Sequence, residues 1–285
     1  MNKARIFLFI ATVFCFSAFS IPTATAQTSN IVKSDLSQSE IDRIVKKFTE
    51  NEALFRGALN SYIFNRNANI QTVGMGGQIT GVYRRDSLMT FTDKSERIEK
   101  ILFMPMSTLK EVTITAEDID NLGGINPFAI EPSQVSNYNF TYLGKERIDE
   151  LNLYVFDVAP KTLPNPKKSN QKFFSGRIWV DDEDLMIVKS KGKAVPEGKN
   201  MLGEEQRFPV METLRENVDG KYWFPSYSSS DDELVFDSGQ SVKMKVRVKY
   251  ANYKVGTSEV KIIDDDGTEI KEEPKPAPSP TPKKP

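Results

Sequence analysis

Residues 241–250 have the sequence Ser-Val-Lys-Met-Lys-Val-Arg-Val-Lys-Tyr. Apolar and polar side chains alternate through this stretch without interruption. Because successive side chains of a β-strand point to opposite faces, the alternation predicts a strand with one buried and one solvated face. The buried face would carry Val242, Met244, Val246, Val248 and Tyr250.

Turn signals divide most of the remaining chain into further strands. Asp219-Gly220 lies between two strand-like runs and predicts a hairpin turn. The acidic residues 181–184 separate two apolar runs, residues 74–77 are rich in glycine, and residues 149–150 are both acidic. Together these signals predict a meandering antiparallel sheet of about ten strands.

The segment 151–158 is apolar on both faces, with Leu153 and Val155 on one face and Tyr154, Phe156 and Val158 on the other. An antiparallel strand with one wet face would alternate more strictly. Part of the sheet is therefore expected to be covered on both sides or to enclose something.

Two helices are expected beside the sheet. Ser37 and Glu40 match a capping box. Apolar side chains follow at helical spacing, and the helix is expected to end at Gly57 or Asn60; the apolar positions are Ile41, Ile44, Val45, Phe48 and Phe55. A second, short helix is expected at 116–122, with Thr115 as its N-cap. The fold class is therefore mainly β with helices, an α+β domain.

The first 26 residues match a secretory signal peptide. Lys3 and Arg5 precede an apolar run at residues 6–19, and Ala24-Thr25-Ala26 supplies the small residues that signal peptidase accepts. Cleavage is expected after Ala26, which predicts a soluble protein of the periplasm. A membrane anchor is the alternative, but the run is shorter than the roughly 20 apolar residues that span a bilayer.

Composition also predicts the domain limits. Residues 27–35 are expected to be a polar, flexible lead-in, residues 36–263 a single domain, and residues 264–285 a disordered tail rich in proline and charge.

Several kinds of chemistry are excluded by residue types. The chain has no histidine, and its single cysteine, Cys15, lies in the signal segment after Phe14, where lipidation would require a small residue. This excludes disulfides, thiolate nucleophiles, Ser-His sites and the usual zinc sites. The formal charge of −1 provides no reason to expect nucleic acid as a partner. No cofactor is indicated.

Other motifs have commoner explanations than catalysis or metal binding. Ser-x-x-Lys occurs four times, as chance allows in a lysine-rich chain, and the companion motifs of Ser-Lys hydrolases are missing. The acidic runs 181–184 and 264–266 lack the spacing of a calcium loop, so a hairpin turn and a solvated tail are preferred. A glycosidase carboxylate pair stays open, because its members come from distant strands.

A cluster of methionine and aromatic residues surrounds the predicted second helix. Methionine adapts to varied apolar ligands, so these side chains are the candidates for lining a lipid cavity, with ordinary core as the alternative. The candidates are Phe103, Met104, Met106, Leu122 and Phe128.

Four strand and turn phrases carry a family resemblance. They are Tyr-Leu-Gly-Lys-Glu at 142–146, Tyr-Val-Phe-Asp-Val at 154–158, Gly-Arg-Ile-Trp-Val-Asp at 176–181 and Gly-Lys-Tyr-Trp-Phe-Pro at 220–225. Over residues 36–256 the chain resembles the LolA/LolB/RseB-like superfamily of periplasmic lipoprotein and lipid carriers, in particular outer membrane lipoprotein-sorting proteins. The resemblance implies a sheet curled into a half-open barrel around an apolar cavity that helices cover.

Three functions follow from these observations. The first is periplasmic carriage of lipid or lipoprotein acyl chains, without catalysis, between membrane-bound donor and acceptor proteins. The second is an RseB-like sensor that uses the same cavity to report lipid or lipoprotein to a membrane partner. The third is a hydrolase that uses one of the Ser-x-x-Lys pairs.

Overall fold

The computed structural model describes residues 30–92, 96–115, 118 and 130–256. This part contains one α-helix, α1 (Gln38–Leu59), a 3₁₀ helix at Pro132–Asn137 and twelve strands. The strands are β1 (Tyr62–Val73), β2 (Ile79–Phe91), β3 (Arg97–Phe103), β4 (Tyr138–Ile148), β5 (Leu151–Pro160), β6 (Phe173–Asp181), β7 (Ile187–Val195), β8 (Gly198–Lys199), β9 (Glu205–Gln206), β10 (Met211–Val218), β11 (Tyr222–Val235) and β12 (Ser241–Val255).

Ten strands form one antiparallel sheet in the order β3-β2-β1-β12-β11-β10-β7-β6-β5-β4, and β8 pairs with β9 in a separate small hairpin. The large sheet is not closed into a barrel, because β3 and β4 are its two edges. The antiparallel, mainly β fold predicted from alternation and turn signals is confirmed. The hairpin turns expected at 74–77, 149–150, 181–184 and 219–220 all connect neighbouring strands.

The alternating stretch 241–250 lies in the middle of this sheet. β12 pairs with β1 on one side and with β11 on the other, so Val246 faces Ile70 and Ser230 across the two ladders. Its five apolar side chains are buried as predicted, and Lys243, Lys245 and Lys249 are exposed.

Helix α1 lies across one face of the sheet, which we call the inner face. Its first half packs into a cluster with β4–β7 through Ile44, Val45 and Phe48, and its second half packs into a cluster with β1, β2, β11 and β12 through Phe55 and Leu59. The helix therefore joins the two halves of the core.

The ends of α1 agree with the sequence prediction. The Ser37 hydroxyl accepts a hydrogen bond from the Glu40 N–H at 3.2 Å, and Asn60 is the C-cap. The Glu40 side chain binds Arg43 instead of returning to the cap, so the capping box is formed on one side only.

A second apolar layer covers part of the opposite, outer face. Leu153, Val155, Trp179 and Val188 are buried there, whereas Tyr154, Phe156 and Val158 of the same β5 segment belong to the inner cluster. The prediction that this part of the sheet is covered on both sides is confirmed.

The predicted second helix lies almost entirely outside the described residues. The Thr115 hydroxyl accepts a hydrogen bond from the Asp118 N–H, and the Asp118 carboxylate accepts one from the Thr115 N–H, as expected for an N-cap. The signal peptide and the proline-rich tail also lie outside the described part. Within that part, no helix combines the length and the apolar character needed to cross a membrane.

Candidate functional site

A groove of about 560 Å³ runs between α1 and the segment formed by the 3₁₀ helix and the start of β4. This volume lies within the roughly 300–1,000 Å³ that is common for small-molecule sites. Its apolar floor is formed by Ile41, Val45, Val135, Tyr138 and Phe140. Its rim is polar and includes Gln38, Asp42, Lys46, Thr49, Glu50, Ser136, Asn139 and Lys161.

The wall opposite α1 is held in place by contacts at its N-terminal end. Pro132, whose ring fixes φ, occupies the first turn of the 3₁₀ helix. Immediately before it, Ile130 is buried in the inner cluster and Glu131 forms an ion pair with Arg56 of α1. These contacts keep Val135 close to the helix and leave the groove between the two segments.

Aromatic side chains support the floor from below. The Phe140 ring meets the fully buried Phe48 ring edge to face at 5.7 Å. The Tyr138 hydroxyl accepts a hydrogen bond from the Phe174 N–H at 3.0 Å. Burial raises the pKa of Tyr138, so its phenol stays neutral and the floor carries no charge.

A second cavity, of about 340 Å³, lies between the β1–β2 turn and the start of β12. Its lining is more polar and includes Thr72, Thr80, Glu111, Glu233 and Lys243. The Glu111 carboxylate accepts a hydrogen bond from Thr72, and Thr72 shares another with Thr80. These polar groups bind one another, so the first groove is the better apolar site.

A compact polar network lies at the β3 edge of the sheet. The Glu99 carboxylate accepts hydrogen bonds from Arg66, Arg85 and Ser87, with the two Arg85 contacts at 2.9 and 2.7 Å. Burial alone would raise the pKa of Glu99, but these donors and the charge of Arg66 lower it to about 2. Glu99 is therefore ionised over the physiological range.

The candidate cavity residues that the structure describes lie at the same edge, across the sheet from the groove. Phe103 ends β3 about half exposed, with the Arg84 guanidinium 5.0 Å from its ring centre, and Met104 follows at 3.9 Å from Arg85 Nη1. Met106 is 92% exposed. Leu122 and Phe128 lie outside the described residues. The assignment of these five residues to a lipid cavity stays a prediction.

The acidic run 181–184 and two of the Ser-x-x-Lys motifs form hydrogen bonds within the fold. The Asp181 carboxylate accepts hydrogen bonds from the N–H groups of Glu183 and Asp184, as an acidic hairpin turn requires. In the Ser-x-x-Lys spacings, Lys172 donates to the Gln206 side chain and Lys193 to Glu197.

No protein-family model matches the chain. No curated protein matches it either. Similar solved structures include a DUF1329 family protein from Desulfovibrio piger, at 11% identity over 74% of this chain and 92% of that chain, with a TM-score of 0.35.

A putative outer membrane lipoprotein-sorting protein domain from Vibrio parahaemolyticus is 10% identical, over 73% of this chain and 92% of that chain, with a TM-score of 0.30. MucB is 12% identical, over 75% of this chain and 94% of that chain, with a TM-score of 0.28.

Sequence reasoning missed the groove. Nothing local in the sequence indicated that Ile41 and Val45 of α1 would lie opposite Tyr138 and Phe140 of β4. Pro132 followed by Val135 was the available signal for a short, partly apolar turn of helix before β4.

Proposed function

We propose that this protein binds and carries acyl chains of a lipid or lipoprotein in the groove between α1 and β4. The supporting observation is the combination of an apolar floor with a polar rim in one open groove. Small-molecule sites have this composition, in which apolar walls provide affinity and a few polar groups provide orientation.

The apolar floor provides the burial from water that a lipid chain needs while it is carried through an aqueous compartment. Each methylene removed from water contributes about 0.8 kcal/mol, so a chain of several methylenes on the floor would be held without any covalent step. Because the groove is partly open to solvent, a chain can enter it and leave again, as a carrier requires.

The proposed role is non-enzymatic and periplasmic. The absence of histidine removes Ser-His and imidazole catalysis from the whole chain. The N-terminal segment supports export with cleavage after Ala26, and membrane-bound donor and acceptor proteins would load and unload the chain.

The test replaces one floor residue and measures affinity for a fluorescent palmitate analogue. Val135 is half-buried on the 3₁₀ helix, so Val135→Asp places a charge on the floor with little loss of core. We expect the dissociation constant to rise by about tenfold or more.

Val235→Asp is the matched control, because Val235 is 59% exposed and does not line the groove. Thermal unfolding of both variants checks that each remains folded. Unchanged affinity of folded Val135→Asp would show that the groove is not the acyl-chain site.

A further inference from the structure

The rim of the groove carries four charged side chains, and its two carboxylates have partners along α1. Asp42 accepts a hydrogen bond from the Gln38 amide at 2.8 Å. Glu50 lies 3.8 Å from the ammonium group of Lys47, one turn away. Each acid thus has a partner on its own helix, and the partner of Glu50 is positively charged.

The two lysines of the rim differ from these acids. Within the described part of the chain, neither Lys46 nor Lys161 has a carboxylate within ion-pair distance. The Lys161 ammonium donates to the Ser136 carbonyl at 2.9 Å, which holds it at the groove and leaves two of its three donors for other acceptors.

The lysines also come from opposite walls. Lys46 is on α1, whereas Lys161 directly follows β5, and its N–H donates to the Asn137 carbonyl at 2.7 Å where the 3₁₀ helix meets β4. One anion bound by both ammonium groups would therefore connect the two walls through charge-assisted hydrogen bonds.

We propose that the ligand of this groove is a single-chain lipid with an anionic head group, a carboxylate or a phosphate, held by Lys46 and Lys161. This inference rests on the proposed acyl-chain function and adds the chemistry of the polar end. The chain lies along the floor beside Val135 and Phe140. The volume of about 560 Å³ lies in the lower half of the small-molecule range, which favours one chain over several.

The test compares three single-chain probes on the full chain: palmitate, lysophosphatidic acid and hexadecanol. The first two carry an anionic head, and hexadecanol has the length of palmitate without the charge. We expect the anionic probe of higher affinity to bind at least about tenfold more tightly than hexadecanol. Whether that probe is palmitate or lysophosphatidic acid identifies the head group as a carboxylate or a phosphate.

The variants are Lys46→Met, Lys161→Met and the double variant, which retain an unbranched apolar side chain. Each single change should weaken binding of the preferred anionic probe severalfold, and the double variant should bind it no better than hexadecanol. Lys249→Met is the matched control, since Lys249 is exposed on β12 and does not line the groove. We expect it to bind as the unmodified protein does.

The outcomes separate the two proposals. Equal affinity for hexadecanol and both anionic probes, with Val135→Asp still harmful, would overturn the head-group assignment and leave the acyl-chain function intact. Retention of the anionic preference in the folded double variant would overturn the role of the two lysines. Failure of all three probes to bind would overturn the acyl-chain function itself.

Discussion

At the scale of single residues, the most unusual position is Glu52, a carboxylate on the apolar stripe of α1 between Phe48 and Phe55. It is fully buried and binds Arg215 of β10 through both oxygens, at 2.6 and 2.9 Å. The Arg215 guanidinium also lies 4.5 Å from the Phe55 ring centre. The pair therefore sets where α1 lies on the inner face.

Glu52→Gln should reduce the free energy of unfolding by about 3 kcal/mol, because it leaves the buried Arg215 charge without its counter-ion. Chemical denaturation measures this loss. Glu40→Gln is the control, since Glu40 forms an exposed pair with Arg43 that solvent screens, so its replacement should change stability far less. Equal losses in both variants would contradict the assigned role.

Glu99 makes stability depend on pH. Its pKa of about 2 in the folded protein lies below the ordinary value of 4.5. It therefore contributes stability that is fully present above the ordinary pKa and is lost as the pH falls toward 2.

Glu99→Gln should consequently destabilise the protein more at pH 7 than at about pH 3, as measured by denaturant unfolding at both values. Glu150→Gln, at the exposed turn between β4 and β5, is the control. An equal effect of Glu99→Gln at the two pH values would show that the Arg66–Arg85–Ser87 network does not depend on the Glu99 charge.

At the scale of elements, the two edge strands of the sheet differ in whether another segment of the chain pairs with them. At the β4 edge, Val32 and Lys145 exchange two backbone hydrogen bonds, at 2.7 and 2.9 Å. At the β3 edge, apolar side chains of Ile101, Leu102 and Phe103 are each about half exposed. Covering an edge limits unwanted pairing with other strands, and here only the β4 edge is covered within the described residues.

Gly144 makes the covering of β4 possible. It lies at a bulge with φ of 139°, and a Cβ atom there would be 2.4 Å from the Val32 carbonyl oxygen. Gly144→Ala should therefore displace Val32, accelerate hydrogen exchange at the Val32 and Lys145 amides, and cost about 1–3 kcal/mol.

Gly57→Ala is the matched glycine replacement. Gly57 lies inside α1, and a Cβ atom there would meet nothing within 4 Å. It should raise the free energy of unfolding by about 0.5–1 kcal/mol, because alanine favours the helix. A loss of stability in Gly57→Ala would contradict the helix preference, and unchanged stability in Gly144→Ala would contradict the clash with Val32.

At the scale of the whole molecule, the described residues include one α-helix, which covers part of a sheet much wider than itself. α1 joins the two inner clusters, and beyond its end the segment after β3 lies over β2, where the Thr108 N–H donates to the Val82 carbonyl. Leu109 and Ile114 of that segment pack against the second cluster. The open groove lies toward the other end of α1, between the helix and the segment formed by the 3₁₀ helix and the start of β4.

The local features of this architecture could be predicted from the sequence. The alternation at 241–250, the Asp-Gly turn and the helical spacing of Ile44, Phe48 and Phe55 depend only on the geometry of one strand, one turn or one helix. Such patterns hold whichever surface lies opposite, so the sequence by itself determined the elements and the buried face of each.

The site depended on which elements meet, and only the tertiary structure decided that. Phe140 packs on Phe48, and Arg215 pairs with Glu52, although these partners are far apart in the chain. Apolar character alone does not distinguish a floor residue such as Val135 from an exposed one such as Met106, because burial depends on the partner surface. The pairing of distant elements creates that surface, and no local pattern of side chains encodes it.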